Sequence, residues 1–234
     1  MVTRGKKDIA SAQSTSGDVA AFLDKARELG ALRAKPDAKG RIIFALDATM
    51  SRQPTWDLAC DLQAEMFHVV RDVGGLQVQL NYYRGFGECR SSKWVDDAKS
   101  LAEFMGRIAC RGGRTQIRKV FTNARNEQKK HPVDALVFIG DAMEEDVDIL
   151  CDKAGELGLL GVPIFIFQEG QNEMVERAFK EFARLSKGAY ARFDANAAGE
   201  LAALLKAVAV YATGGVRALE AQGDRLLLPQ MRKG

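Results

Sequence analysis

Arg41-Ile-Ile-Phe-Ala-Leu-Asp-Ala-Thr-Met-Ser51 decides how this chain folds. The unbroken apolar run from Ile42 to Leu46 lacks the alternation of a half-exposed strand, so it reads as a strand buried on both faces. Strands of that kind belong to parallel sheets with helices on either side. Where the run stops, Asp47, Thr49 and Ser51 follow at every second position. In an open parallel sheet, ligands gather beyond the carboxyl ends of the strands, near the point where strand order reverses. These three oxygen-bearing side chains stand where such a site belongs.

Outward from this stretch, strand and helix patterns alternate. Gln77-Val-Gln-Leu-Asn-Tyr-Tyr83 alternates as a strand, and Gly85 and Gly87 turn the chain into a short edge strand near Arg90 to Trp94. Ala135-Leu-Val-Phe-Ile-Gly-Asp141 and Val162-Pro-Ile-Phe-Ile-Phe167 are further buried strands, and Ala189 to Phe193 is a last short one. The first helix of the domain opens at Pro54 and Thr55, buries Trp56, Ala59, Leu62, Met66, Phe67 and Val70, and ends at Gly74 and Gly75. Helices then follow over Asp96 to about Ala109, Gln116 to about Lys129, Asp146 to Leu157, Glu173 to Leu185 and Ala198 to Tyr211. The alternation predicts an α/β fold: a doubly wound, mostly parallel central sheet with one short antiparallel edge strand and helices on both faces.

The chain divides into four segments by composition. Residues 1–17 read as a disordered tail rich in Lys, Ser, Thr and Gln. Residues 18–39 hold a helix and a linker, with Val19, Phe22, Leu23, Ala26, Leu29 and Leu32 at helical spacing and Asp18 in place to cap it. Residues 40–213 form the α/β domain, and 214–234 an extension. Its Leu226-Leu-Leu-Pro229 run either packs back on the domain or offers a docking strand.

Composition narrows the function classes. With 234 residues, 47% hydrophobic and 28% charged, the chain has room for one domain with a full core. A net charge of +3, partly in Arg4, Lys6, Lys7, Arg232 and Lys233 near the ends, is too small to argue for nucleic acid. The basic start runs into Asp8 rather than an apolar segment, and no run reaches the roughly 18 to 20 apolar residues of a membrane span. The four cysteines form no Cys-x-x-Cys pair and read as reduced core thiols, so a cytoplasmic protein is expected. His68 and His131 lack metal-ligand spacing, Gly112-Gly-Arg-Thr115 lacks the lysine of a phosphate-binding loop, and Gly85-Phe-Gly87 lacks the third glycine of a dinucleotide fingerprint.

Two more oxygen donors complete a set of five. Thr115 follows a glycine pair ahead of a helical pattern, and Asp141 closes a buried strand. Hard oxygens suit Mg²⁺, Mn²⁺ or Ca²⁺ rather than zinc. Asp47-Ala-Thr49-Met-Ser51, Gly112-Gly-Arg-Thr115 and Asp141 together resemble the von Willebrand factor A (VWA) family, whose metal-ion-dependent adhesion site (MIDAS) combines Asp-x-Ser-x-Ser, a later Gly-Gly-x-Thr and a further Asp after a strand. The resemblance covers roughly residues 40 to 213 and points to the bacterial intracellular members.

By this resemblance the hydroxyls of Thr49, Ser51 and Thr115 bind the metal directly, and Asp47 and Asp141 act directly or through water. A non-enzymatic domain is implied, in which an acidic residue of a protein partner completes the octahedron; similar domains often act beside an ATPase or chaperone-like machine. Thr49 replaces a serine, Met50 stands where glycine is common, and Arg52 and Arg114 flank the motif, where they either repel a cation or attract an acidic partner.

Two other readings stay open. Asp47-Ala-Thr49 with Gly140-Asp141 and Glu145 also resembles the haloacid dehalogenase superfamily, in which Asp47 would be a phosphate-accepting nucleophile and Asp141 with Glu145 would hold Mg²⁺. Alternatively the motif residues only cap turns, and the VWA fold is a scaffold with a degenerate, metal-free site.

Overall fold

The computed structural model describes residues 17–26, 39–50, 53–69, 75–193 and 198–214. Strand β1 (Gly40–Asp47) is buried on both faces as its apolar run requires, with Ile42 through Leu46 at most 1% exposed. It pairs in parallel with β2 (Leu76–Arg84) on one side and β4 (Ala135–Gly140) on the other. Beyond β4, β5 (Ile164–Glu169) and β6 (Ala189–Phe193) continue in parallel, while β3 (Glu88–Val95) closes the opposite edge antiparallel to β2. The order β3-β2-β1-β4-β5-β6 runs one way from β1 and the other way from β4. That reversal opens a crevice between the carboxyl ends of β1 and β4.

Helices cover both faces, and the two-residue period of β1 feeds both cores. Ile42, Phe44 and Leu46 pack against α1 (17–26), α2 (Gln53–Leu62), α3 (Ala64–Val69), α4 (Ala98–Met105) and α8 (Ala198–Ala212). Ile43 and Ala45 face the other way, toward α5 (Ile117–Lys130), α6 (Val147–Leu159) and α7 (Glu173–Leu185). The Thr55 hydroxyl donates to Glu169 at the end of β5, tying the start of α2 to the pole that carries the crevice.

The structure departs from the sequence reading at three places. The helix expected from Pro54 to the Gly74–Gly75 pair is broken at Gln63, a buried polar residue whose amide donates to the Ala98 carbonyl at 3.1 Å and ties it to the start of α4; residues 70–74 lie outside the described residues. The helix expected to reach Ala109 stops at Met105, and the chain beyond Gly106 instead crosses to the carboxyl end of β1, where the Arg111 N–H bonds the Ala48 carbonyl at 3.0 Å. The edge strand is longer than its pattern suggested, because Glu88 and Cys89 pair with Arg84 and Tyr83 right up to the turn.

α1 is anchored by Phe22, which is 1% exposed and meets the rings of Phe165 and Phe167 edge-on at 5.7 and 5.2 Å. Asp18 pairs with Arg192 at 3.7 Å. Leu29, Leu32, the tail 1–16 and the extension from 215 onward lie outside the described residues. Among the described residues, no helix is long and apolar enough to cross a membrane. The aromatic contacts make α1 part of the core. Phe22→Ala is expected to cost about 3–5 kcal/mol of stability, measured by urea unfolding.

Candidate functional site

The site begins with a turn. At the end of β1 the Asp47 side chain accepts the Thr49 N–H at 2.7 Å, while the Ala48 N–H bonds the Tyr83 carbonyl of β2 at 2.9 Å. The chain is thereby turned outward with Asp47 only 4% exposed and Thr49 half-buried. Across the crevice, Leu46 pairs with Ile139 in the β1–β4 register, so Asp47 and Asp141 follow adjacent strands and feel each other's charge.

Thr115 is brought in by the segment after α4. The Arg114 N–H donates to the Gly85 carbonyl at 3.1 Å, and the Gln116 amide donates to the carbonyls of Arg84 and Glu88, both at 3.2 Å. A side chain at Gly113 would put its Cβ 2.1 Å from the Gly85 carbonyl oxygen, so the second glycine of the pair permits this close approach. Asp47, Thr49, Met50, Gly112, Gly113, Thr115, Asp141 and Glu144 line one cleft of about 230 Å³.

Four of the five predicted donors therefore share a cleft. Ser51, the fifth, lies outside the described residues together with Arg52. Arg114 is exposed and does not line the cleft, and neither does His68 or His131. Among the described residues, no three His, Cys, Asp or Glu side chains cluster as metal ligands, so a cation held here would depend on hydroxyls as well as carboxylates.

Two acidic residues that sequence reasoning did not assign to the MIDAS complete the assembly. Thr115 donates both its N–H (2.9 Å) and its hydroxyl (2.7 Å) to Glu144 Oε2, and the Glu144 N–H donates back to the Thr115 hydroxyl at 3.1 Å. Glu145 accepts the N–H groups of Ile117 and, at 3.1 Å, Arg118. It thus caps α5 from another loop, where the first turn has no cap of its own, and its charge meets the positive end of the helix dipole. Consecutive glutamates three and four residues after Asp141 were the available signal.

Burial sets the electrostatics. It pushes the Asp47 carboxyl up to about 6, against the hydrogen bonds from Thr49 that favour the ionised form. The Tyr83 hydroxyl, fully buried, is driven well above its ordinary value by burial and then by the neighbouring charge of Asp47. It lies near Asp47 but makes no hydrogen bond of normal geometry. Away from the cleft, burial raises the Cys60 thiol to about 12 and the Cys89 thiol to about 11, so neither is a thiolate nucleophile near neutral pH. All four cysteines are free thiols, but only Cys110 is buried; Cys60, Cys89 and Cys151 are half-buried at the margins of the core rather than within it.

The sheet order and the loops at its carboxyl pole define a VWA fold. Solved structures with this fold include an aerotolerance-related membrane protein from Bacteroides fragilis, 17% identical with a TM-score of 0.55 over 72% of this chain and 98% of that one. The SpRpn10 VWA domain is 14% identical, with a TM-score of 0.55 over 76% of this chain and 97% of that one. Proximal thread matrix protein 1 from the mussel byssus, solved with a zinc-occupied MIDAS motif, is 13% identical, with a TM-score of 0.58 over 74% of this chain and 46% of that one. No protein-family profile matches the chain, and no curated protein sequence matches it.

The raised Asp47 value has a consequence for stability. Below about pH 4 the carboxyl is protonated in both folded and unfolded chains. As pH rises from the ordinary 3.8 to about 6 the unfolded chain ionises while the metal-free fold keeps its buried proton, and that gap corresponds to about 3 kcal/mol of stability lost by the time the fold ionises. In chelator, Asp47→Asn is therefore expected to be more stable than the wild type at pH 8, by up to about 3 kcal/mol, with the difference vanishing below pH 4 in denaturant titrations.

Proposed function

We propose that the chain is a protein-interaction domain, without enzymatic activity, that recognises an acidic residue of a partner protein through a divalent cation held by Asp47, Thr49, Ser51, Thr115 and Asp141. The observation that carries this reading is the convergence of Asp47, Thr49, Thr115 and Asp141 on one cleft at the strand-order reversal. Their donors are all hard oxygens, which fit Mg²⁺, Mn²⁺ or Ca²⁺. A buried carboxylate that is costly to ionise by itself, beside a second carboxylate, is also what a cation would relieve. The zinc-occupied MIDAS of the mussel protein supports a divalent ion in this fold.

Charge balance gives the recognition its chemistry. Asp47 and Asp141 together neutralise a divalent ion, and the hydroxyls add none, so a bound ion would stay electrophilic enough to attract an external carboxylate. Glu144 commits its Oε2 to the Thr115 N–H and hydroxyl, which sets it apart from the carboxylate that a partner would supply. Met50, 66% exposed, lines the cleft, and Phe86, 85% exposed, tips the turn that abuts Gly113. These side chains offer apolar contacts to residues flanking the partner's acid. We place the protein in the cytoplasm, consistent with its free thiols, and its partner among the ATPase or chaperone-like machines that the family resemblance implies.

Calorimetric titration of Mg²⁺ or Mn²⁺ is expected to give saturable binding to the wild type that Asp47→Ala and Thr115→Ala each weaken, by at least about 10-fold, to a residual but measurable level. Recovery of the bound partner in a pull-down should fall with EDTA. Absence of metal binding, or equal binding by the variants, would leave a metal-free scaffold. Hydrolysis of p-nitrophenyl phosphate, lost on Asp47→Asn, would instead support the phosphatase reading, although Glu145 is already engaged as the cap of α5.

A further inference from the structure

We infer that Glu144 is a positioning residue for the cation cleft: by gripping Thr115 it leaves one defined lone pair of the Thr115 hydroxyl available to a divalent ion. This rests on the metal reading above and deepens it. A threonine hydroxyl has one proton and two lone pairs. Here the proton goes to Glu144 Oε2 at 2.7 Å, and one lone pair accepts the Glu144 N–H at 3.1 Å. The Thr115 N–H, bonded to the same Oε2 at 2.9 Å, closes the clasp. One lone pair remains, on a residue 6% exposed that lines the cleft.

The clasp has two effects on that remaining lone pair. It fixes a hydroxyl rotor that would otherwise turn among alternative acceptors, so less ordering is needed when an ion arrives. It also places a carboxylate on the hydroxyl proton, which draws the O–H toward Glu144 and leaves more negative charge on Oγ1. Carboxylates that accept from a metal-binding side chain strengthen ligands in this way, and their loss weakens metal affinity by about 10–100-fold. All three contacts come from one residue, 29 positions away and on the loop that follows β4. The Asp141 loop and the Thr115 segment are therefore set together.

The opposite role would be a plug, in which Glu144 occupies Thr115 and keeps cations out. The two differ in sign. Mn²⁺ titrated by calorimetry into Glu144→Ala is expected to bind about 10–100-fold more weakly than into the wild type. Glu144→Gln, whose amide oxygen still accepts from Thr115, should recover part of that loss. In a Thr115→Ala background, Glu144→Ala should have no further effect, because Glu144 acts through Thr115.

Unchanged or tighter Mn²⁺ binding by Glu144→Ala would overturn the inference, and so would a loss that adds to that of Thr115→Ala. Circular dichroism and thermal unfolding in EDTA verify that each variant is folded. If Glu144→Ala is not, Glu144→Gln and the double variant Thr115→Ala/Glu144→Gln decide by the same criterion of non-additivity. Failure of the wild type itself to bind Mn²⁺ would remove the metal reading and this inference together, an outcome distinct from any pattern among the variants.

Discussion

Everything at the carboxyl pole follows from how β1 is enclosed. It is hydrogen-bonded in parallel on both edges and covered by helices on both faces, so no polar side chain is accommodated between Ile42 and Leu46. The first place where the chain can present a carboxylate is the end of the strand. Because crossovers leave β1 and β4 in opposite directions, no helix among the described residues fills the gap above that end. Asp47 is therefore both nearly buried and open to a cleft, and its carboxyl is held up at about 6 by the same enclosure that makes the strand.

The cleft is kept in shape by side chains bonding across loops more than by the strands beneath it. Glu144 and Glu145 reach from the β4 loop to Thr115 and to the first turn of α5, and Gly113 rests directly on Gly85. Each of these contacts joins two different connections. The polar groups of these loops satisfy one another where no regular ladder exists, and the resulting positions of Asp47, Thr115 and Asp141 are fixed by the fold as a whole.

The sequence discloses what depends on period and composition. The apolar run at Ile42–Leu46, the alternation at Gln77–Tyr83 and the donors after each strand are local patterns, and the sheet with its carboxyl-end cleft is their direct result. What stays hidden depends on partners far along the chain. Gln63 stands where a helix breaks and its amide reaches Ala98, and nothing in its neighbours marks that. Glu144 looks like an ordinary solvated acid, and Glu145 stands out only as a metal ligand in the phosphatase reading, until the β4 loop meets α5. Tyr83 reads as one more alternating strand residue, yet its hydroxyl is buried beside Asp47.

One feature of the sheet margin bears on how another protein can approach. β3 is an outer strand, and such a strand presents unpaired backbone groups that invite a foreign chain to extend the sheet. Along β3, however, Glu88, Arg90 and Lys93 supply charged side chains, with Glu88 and Arg90 paired at 3.2 Å. At the other margin β6 runs for only five residues. A newcomer adding itself as a seventh strand would have to displace hydrated charge on one side and would find little length on the other. The margins are thus guarded against promiscuous zippering.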